Sequence, residues 1–143
     1  MIKSTLIKFI AIIMVLLCVV RCSYALSDAT STLLSNTNLT AEVTNGTTRC
    51  MPHNAEDFVF YLKASDTGGS TPTLDVVAYH SDDEVTWFPL VTFTQVETAD
   101  STQVISVNPS TTHVLKCIRV TATIGGTSTP GFNVVSKMFY RQR

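Results

Sequence analysis

Two cysteines and two histidines stand in matched pairs, Cys50-Met51-Pro52-His53 and His113-Val114-Leu115-Lys116-Cys117, and thiolate with imidazole is a donor set that zinc takes as a tetrahedron. Spacing argues against that use. On an extended strand, positions four apart lie about 13 Å from each other, whereas two ligands of one zinc sit within roughly 4 Å. His113 meets the demand only if the turn after Pro109 folds it inward. The expected arrangement is one disulfide between Cys50 and Cys117, with two surface histidines and no metal; two free thiols are the alternative.

Asp82, Asp83 and Glu84 form the densest carboxylate group. Calcium wants six to eight oxygens from a loop of defined shape, and these three lack the alternating acid spacing and the glycine of such a loop. A solvated hairpin tip is expected. Glycosidase chemistry needs two carboxyls about 5 to 9 Å apart across a cleft, and no such pair is legible. There is no Gly-x-Ser-x-Gly elbow, neither cysteine lies in an activated motif, and Gly125-Gly126 joins two strand-like runs where a phosphate loop would open a helix. No catalytic residue is assigned, no cofactor is implied, and the chain reads as a non-enzyme. The remaining route to function is aromatic. Tyr79, Trp87 and Phe88 lie near the acidic turn, and rings beside carboxylates hold sugars or protein partners, which makes Tyr79, Asp82 and Trp87 the candidate contact set. The lone Trp of a small β-domain more often anchors its core, and Trp87 is expected there.

Strand-like runs must position these residues. Asp57 to Ala64 alternates Phe58, Phe60 and Leu62 with Val59, Tyr61 and Lys63, the period-two signature of a strand. Asp66-Thr67-Gly68-Gly69-Ser70 breaks it. Further strands are expected over Leu74 to Ser81, over Thr86 to Thr94 with Pro89 marking an edge or bulge, and over Gln103 to Val107. Val114 to Ile124 turns Ile118, Val120, Ala122 and Ile124 inward and Arg119, Thr121 and Thr123 outward; a turn through Gly125 to Gly131 leads to a last strand, Phe132 to Tyr140. Helical periodicity is missing beyond the N-terminus, so the expected fold is all-β, a single antiparallel β-sandwich (jelly-roll or Ig-like) of about seven strands over residues 49–143. Residues 26–48, rich in Ser, Thr and Asn, read as a linker or arm with one short strand at Thr40 to Thr44. Two sequons there, Asn38-Leu39-Thr40 and Asn45-Gly46-Thr47, carry no functional weight.

The N-terminus addresses the chain. Lys3 and Lys8 lead into a twelve-residue apolar run, Phe9 to Val20, and Ser23-Tyr24-Ala25 supplies small residues at a cut site. That layout is expected to be a signal peptide over residues 1–25, helical and cleaved after Ala25, with a retained anchor as the alternative; the run is short of the roughly 20 residues a span needs, so no stable membrane insertion is expected after cleavage. Neither Cys18 nor Cys22 follows the small residue a lipoprotein site wants. Cleavage removes three basic residues and leaves seven against eleven acidic, a net charge near −4 that disfavours nucleic acid as a partner.

The stretch from Tyr79-His80-Ser81-Asp82 through Trp87-Phe88-Pro89-Leu90 resembles a hairpin of many β-sandwich modules, and Ile118 to Thr127 with Pro130-Gly131-Phe132 is similar to the C-terminal hairpin of small structural proteins of tailed phages. The same hairpin logic recurs, as a weaker match, in discoidin-like and carbohydrate-binding modules. The phage resemblance implies a non-enzymatic head or tail accessory protein that works through repeated protein contacts. The chain is thus expected to be secreted, periplasmic or extracellular, or in a virion if phage-encoded. Its expected partner is a protein or a second copy of itself, with a glycan as the alternative.

Overall fold

The computed structural model describes residues 27–53, 55–97, 99–108 and 111–142, so the expected signal peptide lies outside the described residues. Six strands among them form one antiparallel sheet: β1 (Ser27–Leu39), β2 (Arg49–Cys50), β3 (Ala55–Ser81), β4 (Phe88–Thr92), β5 (Ser101–Ser106) and β6 (Cys117–Gln142). The fold is all-β, with no helix in the described residues.

β3 and β6 organise everything else. They pair with each other from Ala55↔Gln142 to Ser81↔Cys117 and absorb four of the expected strands. The sequence breaks at Asp66–Ser70 and Gly125–Gly131 do not end them, because the two breaks lie opposite one another, with Gly68 facing Gly131 and Ser70 facing Thr127. Both strands therefore bend together and shift register without losing their partner. Positive φ angles cluster at the bend: Gly68, Gly69 and Thr71 on β3, and Gly126, Ser128 and Thr129 on β6. At Gly126 (φ 119°) an added Cβ would lie 2.8 Å from the Thr71 carbonyl oxygen, so glycine is required there by both torsion and space.

The bend divides the ribbon into two halves. β1 flanks the half ending at Gln142, and β5 pairs with β3 from Val59↔Ser106 to Ala64↔Ser101. The other half carries β2 on β6 and β4 on β3, with bridges Val43↔Ala122 and Leu74↔Val96. The expected alternation holds: Phe58, Phe60, Leu62, Leu74, Val76, Ala78, Ile118, Val120, Ala122, Val134 and Met138 are buried and belong to one core cluster drawn from both halves. Pro89 sits at a register shift, where Ala78 pairs with Val91 and Tyr79 with Pro89, as its missing N–H requires.

Two expectations need correction. Residues 26–48 are not a loose arm in their described part: Ser27–Leu39 is a strand of the sheet, and Leu33, Leu34 and Leu39 enter the core. A register shift between Thr32 and Leu34 lets adjacent leucines both turn inward, which erased the period-two pattern from the sequence. At Thr40 to Thr44 only Val43 bridges, to Ala122. Trp87 is the second correction, since it is half-buried and lies outside the core cluster.

Candidate functional site

Chemistry-bearing side chains gather where β3 ends and β6 begins. The turn 81–86 is built by two side chains. Asp83 accepts hydrogen bonds from the backbone N–H groups of Val85 (2.9 Å) and Thr86 (2.7 Å), and from the hydroxyls of Ser81 and Thr86. Ser81, fully buried, accepts the Glu84 N–H in return. The Thr86 N–H above all, then the Val85 N–H and the Ser81 hydroxyl, hold the Asp83 carboxyl far below the usual carboxylate range. The same bonds hold Glu84 at φ 60°, an uncommon torsion for a side chain other than glycine. The expected hairpin tip is thus present, with Asp82, Asp83 and Glu84 all exposed.

Cys50 and Cys117 face each other in the β2–β6 pairing, and their sulfurs lie 2.02 Å apart, disulfide distance. A Glu84 carboxylate oxygen lies within 4.8 Å of both sulfurs. Neither histidine of the sequence pairs joins this group. His53 lines a cleft of about 290 Å³ with Met51, Phe58, Asp82, Val114 and Lys116, while His113 is exposed outside it. His80, on β3, accepts the Leu115 N–H at Nδ1 (3.1 Å), and burial lowers its pKa.

The candidate contact set divides. Asp82 borders the cleft, whereas Trp87 and Tyr79 surround Arg119. The Arg119 guanidinium carbon stands 4.1 Å from the Trp87 ring centroid, and Tyr79 is its direct cross-strand partner. Trp87 donates Nε1–H to the Glu84 carbonyl, and Arg119 donates from Nη1 to Asn45 Oδ1 at 2.7 Å. One face of the indole is therefore covered by a cation. Sequence reasoning missed Arg119 as the organiser; its only signal was a charge on the outward side of the most regular strand.

Both halves expose apolar side chains, Val85 and Phe88 at this end and two more on the half that carries β5. Val104 of β5 is 62 % exposed and Phe139 of β6 is 39 % exposed; their registers place Tyr61 beside Val104 and Val59 beside Phe139. Phe139 and Val59 also line a hollow of about 260 Å³ with Asp28, Asp57, Tyr140 and Arg141, where Arg141 pairs with Asp57 at 3.1 Å.

No family model matches the chain, and no curated protein or solved structure matches it either.

Proposed function

We propose that the protein is an exported, non-catalytic β-sandwich that works by surface contact, and that a second copy of the chain is its first partner. Support for two stacked layers comes from the single core fed by both halves of the ribbon, and from residues 46 and 47, whose N–H groups bond to Val120 and Leu33 on different halves. Export rests on the N-terminal apolar run, and a disulfide suits an oxidising compartment.

The observation that carries the assembly reading is β5. It pairs with β3 alone among the described residues, and its sequence, Ser-Thr-Gln-Val-Ile-Ser, has no proline, glycine or charge. Natural edge strands are ordinarily blunted by such residues or by bulges. The other edges are blunted: β4 carries Pro89 and a register shift, and β1 carries Asp28 and two register shifts. β5 is thus the edge that can extend the sheet into a second molecule, with Val104 on it, Tyr61 on the adjacent β3 and Phe139 one strand further on as apolar surface. A place in a virion rests on the hairpin resemblance alone. Glycan binding has less behind it, because Arg119 covers one face of Trp87 and Asp82 lies in a separate cleft.

Light scattering coupled to gel filtration, run across a hundredfold range of concentration, tests the reading. Wild-type protein should grow in mass with concentration, and Val104→Lys should return it toward the monomer. A monomer throughout would overturn self-assembly.

A further inference from the structure

We propose that reduction of the Cys50–Cys117 bridge creates a binding site for a thiophilic divalent cation of the zinc class, with both sulfurs and a Glu84 carboxylate oxygen as its protein ligands. The three donor atoms lie within 4.8 Å of one another. Zinc bonds of about 2.3 Å to sulfur and 2.0 to 2.2 Å to oxygen put tetrahedral donors roughly 3.5 to 3.8 Å apart, a spacing that fits inside that 4.8 Å limit. Each donor comes from a different element: β2, the turn 81–86 and β6.

Hydrogen bonds independent of the S–S bond hold these elements in place. Met51 N–H donates to the Lys116 carbonyl at 2.9 Å beside the bridge. Glu84 is fixed at both ends of its peptide, its N–H on Ser81 Oγ and its carbonyl on Trp87 Nε1. The donor set therefore stays assembled when the bridge opens. Cys117 is buried while Cys50 and Glu84 are exposed, which gives the cation an approach from solvent and leaves a fourth position for water.

The chemistry balances with a dithiol as reductant. It delivers two electrons and two protons, the S–S bond breaks, two thiols form, and the dithiol closes to its own disulfide. The cation then releases both thiol protons to solvent and forms two metal–sulfur bonds and one metal–oxygen bond. This site differs from the two-cysteine, two-histidine set that the sequence pairs bring to mind, because neither His53 nor His113 takes part. Oxidising and reducing surroundings would thus hold the same strands by two different links.

Cobalt(II) is the probe, added to the full chain in oxidised form and in a form reduced by a dithiol that is removed before titration. The reduced protein should bind one cobalt with a thiolate-to-metal absorption band, lose it to one equivalent of zinc, and show a stronger strand signal by circular dichroism with zinc than without. The oxidised protein should show no band. Glu84→Gln should keep the sulfur band and weaken cobalt at least about tenfold, since loss of even an outer partner of a metal ligand weakens binding by 10- to 100-fold. Equal affinity in Glu84→Gln, no band after reduction, or a reduced chain that zinc does not hold folded would each overturn the proposal.

Discussion

Asp83 gives the clearest case of one side chain deciding a local structure. Its carboxylate takes two backbone N–H groups and two hydroxyls of its own turn, which keeps the folded carboxyl ionised to lower pH than in the unfolded chain. On acidification the unfolded state binds that proton first, so the stabilisation is complete above the unfolded value of about 3.9 and is lost as pH falls below it. Asp83→Ala should therefore lower Tm at neutral pH, and its gap from wild type should narrow in thermal melts as pH drops through that range. Arg119 is a second such residue. Arg119→Ala should destabilise by about 0.5 to 1 kcal/mol through the cation–π contact, and a double-mutant cycle with Trp87→Leu, which removes the aromatic face, in urea and read by circular dichroism, isolates that term. Ser136 carries the opposite sign. It is fully buried with no partner for its hydroxyl among the described residues, so Ser136→Ala should leave stability unchanged or raise it by about 1 kcal/mol in the same denaturation experiment.

At the scale of elements, the bent ribbon and the edge strand β1 make separable demands. Gly126→Ala combines a positive φ with close approach to Thr71 and Pro72, and should destabilise by more than about 1 kcal/mol in urea unfolding. Leu33 is fully buried on β1. Its truncation to alanine should cost about 2 to 5 kcal/mol, whereas an arm loosely joined to the domain would tolerate it with almost no change. The strands within β3 and β6 were readable because their alternation is strict on both sides of the bend. Their continuity was not, because Gly-rich runs look alike whether the chain turns back or bends beside a partner that bends with it. β1 escaped notice for another reason: its bulges put neighbouring residues on one face, and its Ser and Thr positions look like a linker when the paired strand is out of view.

For the molecule as a whole, one covalent link closes a loop of 67 residues in sequence separation. The chain-entropy account assigns such a closure about 4 kcal/mol, so calorimetry in the presence of a metal-free reductant should show a clear fall in Tm relative to the oxidised protein. By itself, the sequence determined the strand faces and the turn at Asp82 to Glu84, and it narrowed the two cysteines beyond residue 25 to a bridge or two free thiols, because alternation, turn chemistry and cysteine count are local or combinatorial properties. Tertiary structure alone decided that Arg119 covers Trp87, that Glu84 comes near the sulfurs, that Asp82 parts company with Tyr79, and that β5 pairs with β3 alone among the described residues. These are contacts between positions tens of residues apart, set by the register of β3 against β6, and no local pattern encodes a register until both strands are paired.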